Sequence, residues 1–282
     1  MPEQYFTNVT IKLPEELYDV AYVVLSDFPV QGIEEKMDEL MICFGADDWN
    51  QTTIQELQDG FATYSLPFEI IKEEQILQKN WNEQWEQSLE PIVVSPRITI
   101  SPEWALDKVE SPITIIINPK MSFGTGYHPT TRMTTRFVEK YTQQDSVWTD
   151  IGTGTGVLAI AAVKCGASSC LALDNDVWSV ENTQENIERN SVQQHISVYE
   201  ADIFTYQLPT SNGIAANLYR NVLIPNFEKM YNALTNSGVL IISGVLKYDS
   251  DEIIDEAKKV GFTFTELELE DEWVAIVFHK NL

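Results

Sequence analysis

The chain has 282 residues, of which 44% are hydrophobic and 22% are charged, so it is expected to fold into compact domains rather than to be disordered. Its formal net charge is −25, because 43 acidic residues stand against 18 basic ones, and this argues against direct binding to naked nucleic acid. No apolar run reaches the roughly 20 residues of a membrane span, no secretory signal is evident and the three cysteines form no pairable framework, so a cytoplasmic protein is expected.

Residues 1–78 are predicted to form a small α+β domain of the ferredoxin-like type. Apolar alternation and turn signals predict the element order βαββαβ, which is typical of that fold. The predicted elements are a strand at Thr7–Leu13, a helix opened by Pro14, strands at Gly32–Met37 and Leu40–Phe44, a helix at Thr52–Thr63 and a strand at Phe68–Leu77. This segment carries 16 acidic and 3 basic residues, which indicates either solubility or a docking surface for a cationic partner.

Residues 79–93 are predicted to connect this domain to the next. Lys79–Ser88 reads as a short helix in which Trp81 and Trp85 share one face, and we interpret it as a linker helix at a domain boundary. Short strands are then predicted at Ile92–Val94, Arg97–Ile100 and Thr114–Ile117.

Residues 94–282 are predicted to form an α/β domain with a doubly wound parallel sheet. The predicted helices are Thr130–Tyr141, Val157–Cys165, Trp178–Arg189, Val222–Leu234 and Asp251–Val260. They alternate with predicted strands at Val147–Ile151, Cys170–Leu173, Ile196–Tyr199, Ile214–Leu218 and Val239–Ser243. The last two runs, Phe262–Leu269 and Trp273–His279, are too close together for a crossover connection, so they predict an antiparallel hairpin.

The strongest local motif is a glycine-rich segment between a predicted strand and a predicted helix, Asp150-Ile151-Gly152-Thr153-Gly154-Thr155-Gly156. Glycines at these positions let the backbone turn tightly and approach a ligand closely. Such a loop suits the pyrophosphate of a dinucleotide or the methionine and ribose parts of S-adenosylmethionine, and a purely structural turn is the third interpretation.

Polar side chains follow the next predicted strands. Asp174 lies 22 residues after Gly152 and can accept hydrogen bonds from both hydroxyls of a ribose, although it could instead cap the next helix. Asp202 could accept from an adenine amine, and Asn217 closes the following strand. Because ligands of open parallel sheets bind beyond the carboxyl ends of the strands, these groups are expected to converge on one crevice.

Four segments carry a resemblance to a known family. Residues 123–131 (FGTGYHPTT) resemble the family's FGTGTHPTT segment, and the Gly152 loop resembles its GCGSG loop. Residues 216–218 (ANL) resemble its ANI motif, and residues 80–85 (NWNEQW) its linker. With these motifs the chain resembles the bacterial PrmA group, class I S-adenosylmethionine-dependent methyltransferases that act on ribosomal large-subunit protein eleven. The chain departs from the family's residues at Asn118, Lys120, Tyr127 and Thr153.

The resemblance implies a Rossmann-like catalytic domain that uses S-adenosyl-L-methionine, and an N-terminal domain that recognises the substrate protein. The candidate cofactor-binding residues are Phe123, Gly124, Thr131, Asp150, Gly152, Thr153, Gly154, Asp174, Asn175, Asp202 and Asn217. No His, Cys and Asp residues have metal-ligand spacing, so no metal is expected. The expected partner is a basic ribosomal protein, with neither nucleic acid nor membrane contacted directly, and the expected oligomeric state is a monomer.

The expected reaction is in-line transfer of a methyl group from a sulfonium to an amine nitrogen of a lysine, an N-terminus or both. Asn217 and the backbone carbonyl of Leu218 are the candidate catalytic groups, because they could accept hydrogen bonds from the amine and orient its lone pair. His128 could act as a general base, but we interpret it as a loop histidine that fixes the glycine-rich segment.

Three alternatives remain at this point. The first is a nicotinamide-dependent oxidoreductase, against which the G-x-G-x-G spacing and the terminal hairpin argue. The second is a methyltransferase that acts on another protein or on a small molecule. The third is a cofactor-binding or ribosome-associated module that has no activity.

Overall fold

The computed structural model describes residues 5–77, 89–118, 120 and 122–281. The chain divides into two compact units, Met1–Trp81 and Asn82–Leu282, and each contains buried apolar residues that form its own core. The linker helix expected over Lys79–Ser88 lies outside the described residues.

The first unit is a four-stranded sheet with two helices. Its elements are β1 (Tyr5–Lys12), α1 (Tyr18–Leu25), β2 (Val30–Lys36), β3 (Glu39–Gly45), α2 (Gln51–Thr63) and β4 (Ile70–Leu77). The sheet order is β2-β3-β1-β4 with every neighbouring pair antiparallel, so β3 lies between the strands of the first βαβ unit and the predicted ferredoxin-like fold is confirmed. Pro14 opens a short 3-10 turn, Glu15–Leu17, before α1 begins.

The second unit begins with a small sheet. It contains β5 (Ile92–Val93), β6 (Ile98–Ser101) and β7 (Ile113–Ile116), in that order. β5 is antiparallel to β6, whereas β6 and β7 are parallel and are joined through a 3-10 segment, Glu103–Lys108. The sequence predicted the strands but not that they pair with one another.

A seven-stranded sheet organises the remainder of the second unit. The helices are α3 (Pro129–Tyr141), α4 (Val157–Lys164), α5 (Val177–Arg189), α6 (Arg220–Ala233) and α7 (Ser250–Val260). The strands are β8 (Val147–Ile151), β9 (Ser169–Asp174), β10 (Ile196–Glu200), β11 (Ser211–Asn217), β12 (Leu234–Leu246), β13 (Phe262–Glu270) and β14 (Trp273–Lys280). A 3-10 turn, Lys247–Asp249, precedes α7.

The sheet order is β10-β9-β8-β11-β12-β14-β13, and it confirms both predicted features of the fold. The first five strands are parallel, whereas β14 is antiparallel to β12 and to β13. One apolar cluster contains Met133 of α3 and Ile160 of α4, and the other contains Phe227 of α6 and Ile253 of α7. The parallel sheet is therefore covered on both faces, as its apolar strands require.

Strand β12 is longer than predicted and contains a bulge. Between the pairs Ile242–Ile276 and Val245–Val274, two residues of β12, Ser243 and Gly244, stand opposite one residue of β14. Bulges bend a strand and are common next to active sites. No feature of the local sequence located this bulge, because it depends on pairing with a strand about 30 residues further along the chain.

Within the described part of the chain, no helix has both the length and the apolar character that crossing a bilayer would need. The same residues contain no group of three or more His, Cys, Asp and Glu side chains that could hold a metal ion.

Candidate functional site

The candidate site lies where the strand order of the large sheet reverses. β8 has β9 on one side and β11 on the other, and ligands of open α/β sheets bind beyond the carboxyl ends of the strands at such a point. Gly152 directly follows β8, Asp174 ends β9 and Asn217 ends β11. Three residues predicted from the sequence therefore lie at one edge of the sheet, around the expected ligand crevice.

Residues 152–156, the glycine loop, can be built only with glycines at alternate positions. Gly152, Gly154 and Gly156 have φ values of +72°, +57° and +83°, which L-residues rarely adopt. A Cβ atom on Gly152 would overlap the side chain of Leu218, and one on Gly154 would overlap the carbonyl oxygen of Phe123. The loop is therefore packed closely against residues that follow β11 and precede α3.

Asp174 is oriented by two backbone N–H groups. Its Oδ2 accepts from the N–H of Gly154 at 2.9 Å, and its Oδ1 accepts from the N–H of Asp176 at 3.1 Å. The cap of α5 is Asp176, which accepts from the N–H groups of Trp178 and Ser179, so the alternative that Asp174 caps this helix is wrong. Asp174 is partly exposed, which leaves its carboxylate accessible to ribose hydroxyls.

Asp150 and Thr153 hold the glycine loop from beneath. The Oδ2 atom of Asp150 accepts from the Thr153 hydroxyl at 2.7 Å and from the N–H of Ala159 at 3.2 Å. Burial raises the pKa of Asp150 to about 7; the nearby Asp174 also raises it, whereas the two hydrogen bonds act in the opposite direction. Both side chains are buried, so their contacts are with the loop and with α4 rather than with the crevice.

Residues 123–128, the signature loop, are tied to the glycine loop through Thr155. The N–H of Thr155 donates to the carbonyl of Phe123 at 2.9 Å, and its hydroxyl donates to the carbonyl of Gly124 at 2.8 Å. Arg132 of α3 donates to the carbonyls of Gly126 and Tyr127 from the other side. These bonds hold Phe123, which is 53% exposed, beside the glycine loop.

Two neighbouring threonines begin α3 beside Asn217. The Nδ2 atom of Asn217 donates to the Thr130 hydroxyl at 3.1 Å. Thr131 is buried, and its hydroxyl oxygen has no hydrogen-bond partner among the residues that the structure describes. A buried hydroxyl without a partner is costly, so it fits a position that a ligand completes.

The carbonyl of Leu218 is held beside the bulge of β12. The N–H of Leu218 donates to the carbonyl of Ser243 at 3.0 Å, and Gly244 packs directly over the Leu218 carbonyl. A Cβ on Gly244, whose φ is +82°, would lie 2.5 Å from this oxygen. Sequence reasoning missed Gly244, because only the bulge brings it here.

His128 caps α3 and packs between two aromatic rings. Its Nδ1 accepts from the N–H of Thr130 at 3.3 Å and lies 2.7 Å from the Thr130 hydroxyl. Its ring centroid is 5.2 Å from that of Phe123 and 4.8 Å from that of Trp273. Burial, with a smaller contribution from Arg132, lowers the pKa of His128, so the ring is neutral at pH 7.

A cleft of about 810 Å³, here called the Trp273 cleft, opens next to Leu218. Its lining includes Tyr219, Gly244, Leu246, Asp249, Glu252 and Trp273. Tyr219 is 73% exposed, and Arg220, which also lines the cleft, is paired with Glu252 at 3.0 Å. Sequence reasoning missed the cleft, which is built from three separate parts of the chain.

The remaining predicted residues, Asp202 and Asn175, are exposed near the ends of β10 and β9. Asp202 is exposed and its Oδ1 accepts from the N–H of Phe204 at 2.9 Å, while the N–H of the preceding Ala201 donates to the carbonyl of Asp174 at 2.7 Å. Asn175 is exposed directly after Asp174. The exposed aromatic rings of Trp178 and Phe204 lie close in sequence to these acids, and sequence reasoning did not single them out.

Comparison with known proteins identifies relatives along almost the whole chain. The model of a family described as "Ribosomal protein L11 methyltransferase (PrmA)" matches residues 8–281. A ribosomal protein L11 methyltransferase of Chlorobaculum tepidum is 34% identical over 287 residues, covering 97% of this chain and 96% of the relative. Another from Brevibacillus brevis is 30% identical over 290 residues, covering 97% and 91%.

A solved structure supports the fold. The crystal structure of a ribosomal protein L11 methylase from Lactobacillus delbrueckii subsp. bulgaricus superposes with a TM-score of 0.63. The match has 24% sequence identity and covers 69% of this chain and 100% of that one.

Proposed function

This chain belongs to the ribosomal protein L11 methyltransferase family, and on that premise we propose that it transfers methyl groups from S-adenosylmethionine to amine nitrogens of L11, in lysine side chains, the N-terminus or both. One observation carries the proposal in the structure. The glycine loop, Asp174 and Asn217 lie together at the carboxyl ends of adjacent strands, at the reversal point of a doubly wound sheet. The family match over residues 8–281 confirms the resemblance found in the sequence.

The residues at the crevice fit S-adenosylmethionine. Asp174, held by two N–H groups, accepts from the ribose hydroxyls, and the exposed Asp202 accepts from the adenine amine. The glycine loop allows close approach of the backbone, and the Thr131 hydroxyl, which has no partner among the described residues, belongs to the helix that bonds to Asn217. When bound, the cofactor supplies a methyl group already activated on a positively charged sulfur. Asp150 and Thr153 contribute to cofactor binding indirectly, because they hold the glycine loop in place.

Asn217 and Leu218 position the acceptor amine. The amide oxygen of Asn217 and the carbonyl oxygen of Leu218 accept its two N–H groups, which leaves the nitrogen lone pair directed at the methyl group. The amine must be neutral to attack, yet only about one free lysine in a thousand is deprotonated at pH 7.4 because the lysine pKa is about 10.4. Exclusion of water around the bound side chain lowers that pKa, and the site supplies positioning rather than a strong base.

The Trp273 cleft is the proposed route for the acceptor side chain. Its aromatic and aliphatic walls suit the methylene stem of a lysine, and Asp249 places a carboxylate at its rim, whereas Glu252 is paired with Arg220. The overall charge of −25 favours encounter with a basic protein. We further propose that the acidic N-terminal unit recognises the substrate, that the enzyme acts as a monomer, and that it works in the cytoplasm, where ribosomal proteins are made.

The alternatives are not favoured. The family match and the relatives argue for methyl transfer rather than hydride transfer, and for an enzyme rather than a module without activity. A fluorescence titration separates the first alternative, since S-adenosylhomocysteine but not NADH should bind at the crevice.

Methylation of purified, unmodified L11 tests the proposal directly. The protein is incubated with labelled S-adenosylmethionine and either L11 or a lysate from cells that lack this activity, and the modified residues are identified by mass spectrometry. We expect label in L11, and Asp174→Ala should abolish it at the same protein concentration. Label that appears only in other proteins or in small metabolites would contradict the L11 assignment while leaving methyl transfer intact.

A further inference from the structure

We propose that Thr130 is a positioning residue for methyl transfer, because its hydroxyl, held by His128, keeps the oxygen of the Asn217 amide turned toward the acceptor amine. The inference rests on the proposed function, since it concerns how Asn217 receives that amine. Thr130 is fully buried at the start of α3, 87 residues before Asn217.

The backbone N–H of Thr130 sets the direction of the three hydrogen bonds among His128, Thr130 and Asn217. A backbone N–H can only donate, and that of Thr130 is directed at Nδ1 of His128 at 3.3 Å. Nδ1 must therefore be unprotonated, so the neutral ring carries its hydrogen on Nε2. The low pKa that burial gives His128 keeps this form dominant at pH 7.

The tautomer of His128 then sets the direction of the Thr130 hydroxyl. The Thr130 Oγ1 atom lies 2.7 Å from the same Nδ1, which can only accept, so the hydroxyl donates its hydrogen to the ring. Oγ1 has only lone pairs left for its second neighbour. Asn217 is that neighbour at 3.1 Å, and it must offer its Nδ2 rather than its oxygen.

The orientation of Asn217 matters for the reaction. With Nδ2 engaged by Thr130, the amide oxygen is the group presented on the other side, where it accepts an N–H of the substrate beside the Leu218 carbonyl. A flipped amide would face Oγ1 with a second acceptor and would offer an N–H to the amine. That N–H would bind the lone pair needed for attack on the methyl group. Loss of the Thr130 hydroxyl should therefore affect turnover more than binding.

Three variants on one helix test the role of the hydroxyl. Thr130→Val removes the hydroxyl with little change in shape, whereas Thr130→Ser keeps it. Thr135→Val is the matched control, because Thr135 is equally buried on α3 and its hydroxyl donates only to the carbonyl of Thr131 at 2.7 Å. We expect Thr130→Val to lower kcat about tenfold, equivalent to about 1.4 kcal/mol, with little change in KM for L11 or in Kd for S-adenosylhomocysteine. Thr130→Ser should restore most of kcat, and Thr135→Val should leave it unchanged.

Nitrogen NMR of the imidazole rings provides a readout that a merely structural role would not produce. In the wild type, His128 should be the Nε2–H tautomer. The proposal is overturned if Nδ1 carries the proton, if Thr130→Val retains the wild-type kcat, or if Thr130→Ser loses as much as Thr130→Val. Failure of the proposed function would give a different result, because the wild-type protein itself would then not methylate L11 in the same assay.

Discussion

Replacement of Gly244 by alanine tests whether the bulge of β12 positions the catalytic carbonyl. Gly244 has a φ of +82°, and a Cβ there would lie 2.5 Å from the carbonyl oxygen and 2.8 Å from the carbonyl carbon of Leu218. Both partners are backbone atoms, so no flexible side chain can move aside. The alanine must shift either the bulge or the Leu218 peptide.

The positive φ of Gly244 and the overlap of its Cβ with Leu218 together set the expected loss of stability and of turnover. A non-glycine residue in the left-handed region costs about 1–2 kcal/mol, and the overlap adds to this, so we expect a loss of about 2 kcal/mol in the free energy of unfolding. For a domain of this size that corresponds to a decrease of about 4–8 °C in Tm. Because misplacement of a reacting group by about 1 Å can cost about 100-fold in rate, kcat should fall about 10- to 100-fold.

The assays are thermal unfolding, methylation of L11, and calorimetric titration with S-adenosylhomocysteine. Gly32→Ala is the control, since Gly32 has no positive φ and its Cβ would meet no atom within 4 Å. We expect the Gly244 variant to bind the cofactor product with near wild-type affinity while its turnover falls. Wild-type kcat in a folded Gly244→Ala protein would refute the assignment of Leu218 as an acceptor of the amine.

Three further predictions concern the crevice and its support. Asp174→Ala should weaken binding of S-adenosylhomocysteine at least about 100-fold by calorimetry, because two charge-assisted hydrogen bonds of about 1.5–3 kcal/mol each are lost, and retained affinity would exclude the ribose contact. Burial raises the pKa of Asp150 from 3.8 to about 7, so the folded state binds more protons in this range and wild-type stability should fall as pH rises through it. Asp150→Asn lacks this dependence, so its stability relative to wild type should increase between about pH 4 and pH 7 in urea titrations; a constant difference would contradict the raised pKa. Tyr127→Phe should lower the free energy of unfolding by about 1–2 kcal/mol, because the hydroxyl accepts from the N–H of Glu90 at 2.5 Å and donates to its carbonyl at 2.8 Å, and an unchanged Tm would show that these bonds contribute nothing.

Much of the fold was predictable because it depends on local patterns. Regular alternation of helices with apolar strands predicted the doubly wound sheet, and two long runs separated by a few residues predicted the hairpin. The same reasoning located part of the site. Parallel strands end at one edge of a sheet, so Asp174 and Asn217 were expected to lie at the same edge, and they do end β9 and β11 there.

Other features could not be predicted, since they depend on residues that are distant in the chain. The sequence left Asp174 as a possible cap of α5, and only the structure assigned the helix cap to Asp176. The structure also separates the candidate residues at the strand ends from Asp150 and Thr153, which are buried and support the glycine loop.

The sequence by itself determined which residues end the strands and where the backbone must be glycine, because these properties arise from neighbours along the chain. Only the tertiary structure decided that Gly244 packs on Leu218, that Trp273 packs on His128, and that Thr130 bonds to Asn217. Each of these contacts depends on the register of β12 with β14 or on the packing of α3 against the sheet. Register and packing are set by the whole core at once, so no local pattern of residues can specify them.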